Sequence, residues 1–580
     1  MRRFLPILEW LPLYQKQDLK RDLVAGLTVG IVLVPQGMAY AMIAGLPPVY
    51  GLYAALLPLV FYALLGTSRQ VSTGPVAMDS LLVAAGLGAL QLSGTENYIT
   101  AAIVLCLMVG AIQLLLGILR MGFLVNFLSK PVINGFTSGA AIIIIFSQLR
   151  HLLGVEIEKS TQFYELVGNA MGKLGDTNLY DLGIGLSGIL IILLIKKWDK
   201  RIPAVLLVVI LGVLCMYFIA PTSLGIKIVG EVPIGFPKFD TPNISLELIS
   251  RLWSIALVLA LVGYLETISI GKAMEERNHT DYVNANQELI ALGTANIVGS
   301  FFQSYGSTAS FSRSAINFES GGRTPMSGVF AAALVLLTLF FLTPVFYYLP
   351  KAVLASIIMV SVVGLVDLKY PKLLWRLRKD EFAVLCITFL GTLTVGITGG
   401  ILIGVLLSLL LMVYRTSQPH FAILGNIGGS DYYKNVNRFE GEALLRDDLL
   451  VVRFDAQLYF GNSAYFKKIL LRYVDQKGGA LRAVILNAEA INYIDATGTR
   501  TLIAVIEELH ERQLQFYIAG AIGPIRDIFY SNGIIDCLRE ECLFVKVKEA
   551  VAHFDDPRYG TPLQDKIAHQ NKTSTAEDLR

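Results

Sequence analysis

The stretch QSYGSTASFSRSAINFESGG, residues 303–322, lies between long apolar blocks, yet it carries Ser304, Ser307, Thr308, Ser310, Ser312 and Ser314 around one cation, Arg313. An arginine at membrane depth costs about 3 kcal/mol or more, so it faces a wet cavity or a partner. Gly306, Ser307 and Thr308 are helix-starting residues. A helix that begins inside the membrane leaves non-helical backbone before it, and that backbone must be buried in protein or line a cavity. VSTGPVAMDSLLVAAGLG (71–88) follows the same plan: Ser72 and Thr73 are cap candidates, and Pro75 suits a first helical position.

Two matched broken segments predict an inverted-repeat transporter with its binding site between them. The spacing agrees, since Gln36 precedes Gly74 by 38 residues and Glu266 precedes Ser307 by 41. Facing half-helices would bring unpaired N–H groups and positive dipole ends together at the midplane, which favours an anion. Arg313 would add a fixed charge there, with Ser310 and Ser312 as hydroxyl donors. Two other readings are open: Arg313 snorkels to the surface, or it pairs with a structural carboxylate. Glu266, within LALVGYLETISIGKAMEER (259–277), is the second intramembrane charge. Burial favours its neutral acid, which makes it a proton carrier; a permanent salt bridge to Arg313 is the alternative. Asp79 ranks third, further along its half-helix.

The remaining composition fits a protein built for lipid. Of 580 residues, 54% are hydrophobic and 16% charged, against a charged share of about a quarter in soluble domains. From Asp22 to about Arg415 apolar blocks recur, among them Leu23 to Gly45, Val49 to Gly66, Ala101 to Leu119, Ala331 to Phe346 and Ile401 to Tyr414. The first block has no cleavage pattern after it and reads as a retained span. Basic clusters at Lys16, Lys20 and Arg21, at Arg120 to Lys130, and at 196–201, 272–277 and 368–380 fall on one face if about fourteen spans separate them. By the positive-inside rule both termini are cytoplasmic, and the expected location is the plasma (inner) membrane. The stretch from His151 to Asp181, with charges of both signs, is expected outside as a loop with helical content.

Net charge of +3 gives no case for a nucleic-acid partner. Cys106, Cys215 and Cys386 lie in apolar blocks, and Cys537 and Cys542 lack a second pair or a histidine cluster. No metal, cofactor or disulfide framework is expected. No nucleophile and base pair or phosphate loop points to an enzyme.

A domain boundary follows residue 418. Residues 1–21 read as an N-terminal segment, 22–418 as the transport domain, 419–436, with the glycine-rich GNIGGS, as a linker, 437–555 as a small α/β domain, and 556–580 as a polar tail without periodicity. In the α/β domain LLVVRFDAQLYF, RAVILNA, LQFYIAG and LFVKV read as strands, and SAYFKKILLRYVD, TGTRTLIAVIEELHER, PIRDIFYSNG and VKEAVAHF as helices.

LVPQGMAYAMIAGLPPVYGLYAALLPLVFYALLGTSRQVSTGP (33–75) resembles the first conserved region of the SulP sulfate permease family, with PQG, P-x-YGLY, GTSR and TGP in the family's order. NGFTSGAA (134–141), NQELIALGTANIVGSFF (286–302) and SRSAIN (312–317) continue the resemblance, and the C-terminal domain looks like a STAS domain. The resemblance implies an all-α membrane protein of fourteen spans in two inverted seven-span repeats, organised as core and gate, usually as a homodimer in the bilayer. It implies substrate contacts from Gln36, Tyr40, Gly74, Pro75, Val76, Ser310, Phe311, Ser312 and Arg313, and proton coupling at Glu266. Ile270 stands where sodium-coupled bicarbonate members carry threonine. In STAS relatives a phosphorylated serine matches Thr497, within Asp495, Ala496, Thr497 and Gly498; Thr497 is either that acceptor or an ordinary helix N-cap.

The leading expectation is secondary active symport of sulfate, or a similar small oxyanion, with protons by alternating access. The alternatives are sodium-coupled bicarbonate transport, an anion exchanger or uncoupled channel, and a membrane-tethered regulator whose STAS domain binds regulatory proteins.

Overall fold

A computed structural model describes residues 5–88, 90, 92, 94–123, 129–157, 160, 162–199, 203–219, 225–278 and 282–559. From residue 560 onward the expected polar tail lies outside the described residues. The chain divides into two compact units, 1–408 and 409–580.

The first unit is helical, and among the described residues its helices, the last of which continues past residue 408, supply fourteen membrane segments. Spans 1 to 7 are Lys16–Ile43, Val49–Leu65, Ala77–Gly88, Thr95–Ile118, Lys130–Ser147, Leu179–Trp198 and Ala204–Ile219. Spans 8 to 14 are Leu246–Asn278, Ala285–Phe301, Phe311–Glu319, Met326–Leu342, Lys351–Val363, Lys379–Thr394 and Ile397–Ser417. Between spans 5 and 6 the helix Phe163–Gly172 supplies the helical content expected of that loop.

In two inverted repeats the packing relations within each half of the fold recur with their partners exchanged. Span 11 lies on span 1, and span 4 lies on span 8. Span 9 packs against span 4 as span 11 packs against span 2, and span 13 against span 5 as span 6 against span 12. Spans 1–4 and 8–11 thus form the core, and spans 5–7 and 12–14 the gate.

Lipid tails offer no hydrophobic drive between helices, so close backbone approach through small residues holds them together. A Cβ on Gly293 of span 9 would meet the Leu114 backbone nitrogen of span 4 at 2.4 Å. One on Gly51 would meet the Gly37 carbonyl oxygen at 1.9 Å, so the PQG and YGLY glycines press spans 1 and 2 together.

The loop before span 3 is anchored by a carboxylate. Buried Glu288 of span 9 accepts from the Tyr62 hydroxyl at 2.6 Å, from the Thr67 amide at 2.7 Å and hydroxyl at 2.5 Å, and from the Ser68 amide at 3.2 Å. GTSR and NQE therefore meet in space, 220 residues apart in sequence. Asp22 of span 1 does the same beyond span 10, accepting from the Arg323 amide at 2.7 Å and the Thr324 hydroxyl at 2.6 Å.

In the second unit the parallel strands Leu449–Phe454, Ala483–Asn487, Gln515–Ala519 and Leu543–Phe544 sit side by side in sequence order. Helices Ser463–Lys477, Ala496–Glu511 and Gly523–Ser531 bury one face, and Val547–Asp555 the other. The stretch expected as linker, 419–436, differs: Phe421–Ile427 is a strand, antiparallel to Leu449–Phe454, and Tyr433–Asn435 pairs beside it. Ala422 and Leu424 point one side of that strand into the core, while the first half of GNIGGS completes the strand and Gly428, Gly429 and Ser430 form its turn.

Candidate functional site

The two half-helices meet. Thr73–Gly74 and Thr308–Ala309 form a two-residue antiparallel crossing, Thr73 opposite Ala309 and Gly74 opposite Thr308. It satisfies backbone groups that a broken helix leaves bare at membrane depth. The crossing is extended by the Ser310 amide, which donates to the Ser72 carbonyl at 3.0 Å, and by the Ser72 amide, which donates to Ser314 Oγ at 3.0 Å. Spans 3 and 10 then run outward from it, so both helix N-termini open at one place. Ser310 caps span 10.

A cavity of about 700 Å³ lies against these two starts. From the core, Gln36 and Tyr40 of span 1, Val76 before span 3, Glu266 of span 8, and Ser310, Phe311 and Ser312 at span 10 form its wall. Lys196, Val205 and Ser361 close it from the gate. Ile133, Lys196 and Leu365 lie where span 5 begins and where spans 6 and 12 end. With alternating spans, all three mark the membrane face that carries the N-terminus, so the cavity opens there.

Gly74, Pro75 and Arg313 stand one layer behind this wall. Arg313 is fully buried, its Nη1 donating to the Pro75 carbonyl at 3.0 Å, while Nε and Nη2 have no partner. No ion pair to Glu266 is formed, so the permanent-bridge alternative has no counterpart here. Gly74, with φ of 141°, is what lets the guanidinium in: a Cβ there would stand 3.2 Å from Nη2 and 3.3 Å from Leu33.

Span 8 is tied to the crossing beside Glu266. Thr267 Oγ1 accepts from the Ala309 amide and lies 3.3 Å from Thr308 Oγ1, and both hydroxyls donate to the Gly263 carbonyl at 2.9 Å. A polar string that the sequence reading missed holds the approach to span 10: the Ser307 amide donates to Asn296 Oδ1, Asn296 to Gln113 Oε1, and Gln113 to the Ala260 carbonyl. Polar side chains inside the apolar runs of spans 4 and 9 were the available signal. Asp79 lies apart from the cavity, in a chamber of about 20 Å³ with Gln113, Asn296, Tyr305 and Thr308.

In the second unit Thr497 is exposed at the start of Ala496–Glu511, but Asp495 is the cap, accepting from the Gly498 amide at 2.7 Å. The N-cap reading of Thr497 is thereby corrected.

The profile of the Sulfate permease family matches residues 19–388, and that of the STAS domain matches residues 442–550. The chain belongs to the sulfate permease family. It is 36% identical to the chloroplastic sulfate transporter 4.1 of Arabidopsis thaliana, over 94% of this chain and 82% of that one. It is 34% identical to the sodium-independent sulfate anion transporter of Bos taurus, over 92% and 88%. Among solved structures it resembles murine Slc26a9 in the inward-facing state, with a TM-score of 0.88 and 26% identity over 94% of this chain and 93% of that one. It shares the fold of the transmembrane domain of the cyanobacterial transporter BicA, with a TM-score of 0.58 and 22% identity over 68% of this chain and 98% of that one. This chain is therefore a multi-pass membrane anion transporter with a C-terminal STAS domain, and not an enzyme.

Proposed function

We propose that this sulfate permease carries sulfate, or a similar small oxyanion, in symport with protons by alternating access. The observation that carries this reading is the cavity against the two half-helix starts, where dipole ends and the Ser310 and Ser312 hydroxyls converge. Relatives named as sulfate transporters support sulfate as the anion. The anion sits at the helix starts with Gln36 and Tyr40 across from it. Arg313 acts through the crossing as a fixed charge whose field needs no direct contact.

Glu266 shares the cavity wall, so an incoming anion repels its carboxylate and favours the bound proton. Anion and proton then enter together, and the core moves against the gate. Residues 1–21 lie on the cytoplasmic side, two chains assemble as a homodimer, and Thr497 is a regulatory phosphate acceptor at a helix start.

Sulfate uptake into proteoliposomes under an inward proton gradient tests the proposal. Uptake should rise with the gradient, and Glu266→Gln should leave it indifferent to pH. Bicarbonate uptake driven by sodium, with none driven by protons, overturns the coupling.

A further inference from the structure

A second cavity, of about 510 Å³, opens at the membrane face that carries the N-terminus. Its wall comes from four parts of the core: Trp10 of the helix Ile7–Trp10, Asp18 and Arg21 at the start of span 1, Arg69 and Gln70 on the approach to span 3, and Arg323 with Thr324 beyond span 10. Arg21, Arg69 and Arg323 line this space, and Asp18 in the same wall receives Arg323 at 3.0 Å. Trp10 is only 7% exposed, and its indole N–H has no hydrogen-bond partner. Buried Gln70 has an unused carbonyl oxygen in the same wall. An unsatisfied buried donor is costly, so these groups are set for a ligand that brings acceptors and negative charge.

Beside the cavity the N-terminal segment exposes Leu5, Leu8, Leu11 and Leu13, each at least 41% accessible. A short apolar surface next to cationic groups at a span's end belongs at the level of lipid head groups. We infer that this cavity is a binding site for the phosphate group of an anionic phospholipid, held by Arg21, Arg323 and the Trp10 indole N–H. The acyl chains lie along the exposed leucines, and Gln70 accepts from a head-group hydroxyl. Because the wall joins span 1 to the segments flanking both half-helices, an occupied site braces the core from that face.

The test uses the full chain in phosphatidylcholine nanodiscs titrated with phosphatidylglycerol, with retained lipid counted by native mass spectrometry and thermal unfolding followed in parallel. Wild type should hold phosphatidylglycerol saturably and unfold at higher temperature once it is bound. Arg21→Gln should weaken that binding about tenfold, the scale of one charge-assisted hydrogen bond. Trp10→Phe, which keeps the ring and removes the donor, should weaken it several-fold. Glycerol 3-phosphate in phosphatidylcholine alone is the soluble arm: the same stabilisation there keeps the phosphate site and assigns it a soluble ligand. Binding that does not saturate, or that both variants retain in full, overturns the inference.

Discussion

Arg313 is the residue whose position least resembles its sequence reading. Ser, Thr and Gly around a lone cation located the site at membrane depth, but they could not say which way the guanidinium points. That direction depends on Gly74, which lies 239 residues away in sequence and makes the room. Two of its three nitrogens are buried without protein partners, so the guanidinium charge is poorly compensated by the fold. Such a residue should lower stability while serving function. Arg313→Met is therefore expected to unfold at the same temperature as wild type or higher, yet to lose sulfate uptake by about 100-fold, the effect of some 3 kcal/mol. Added sulfate should stabilise wild type and leave the variant unmoved. Uptake within twofold of wild type would remove Arg313 from the site. Glu288 is the opposite case, a carboxylate used as structure. Glu288→Gln replaces one acceptor oxygen with an NH₂ that faces donors, and should cost about 1–3 kcal/mol in thermal unfolding without changing the proton dependence of whatever uptake remains.

Among the elements, the half-helices were legible because their starts use side-chain chemistry that is local in sequence. Their crossing was not, since nothing near Thr73 names Ala309 as its partner. The strand Phe421–Ile427 was missed for a related reason: its partner follows it in the chain, and its glycine-rich turn reads equally well as a linker. The paired glycines of spans 1 and 2 were visible as motif letters, and the structure gives their cause. A Cβ on Gly51 strikes the Gly37 backbone at 1.9 and 2.4 Å, where nothing can rotate away, whereas one on Gly37 meets Gly51 at 3.0 Å. Gly51→Ala should push the two spans apart, costing about 3 kcal/mol or more with loss of folded protein, and Gly37→Ala should cost less than half of that. Thermal unfolding of the two purified variants gives the comparison, and equal losses would place the constraint elsewhere.

For the whole molecule, the two units call for separate tests. In the C-terminal unit the Arg446 guanidinium, 2.8 and 2.9 Å from Asp448, holds that carboxyl below the usual aspartate range. This stabilisation is present above the ordinary aspartate pKa and is lost as pH falls through the lowered native value. Arg446→Ala removes it, so hydrogen exchange in the strand Leu449–Phe454 should be faster than in wild type at neutral pH, by less than about 1 kcal/mol because the pair is part-exposed, and the difference should close as pH falls through the lowered aspartate range. The membrane unit carries the larger claim, that core and gate move past one another. Its cavity has both kinds of wall, Ser312 from the core and Ser361 from the gate, and opens to the face of the N-terminus. A thiol reagent confined to that face should therefore alkylate Ser361→Cys in a background lacking the five native cysteines, and sulfate at acidic pH should slow the reaction. Applied to the other face, the reagent should react only while the protein is turning over, since the wall reaches that side only in the alternate state. Alternation requires that the two accessibilities never coincide. Simultaneous labelling from both faces at rest would mean a continuous pore, and symport would give way to an anion channel on the same scaffold.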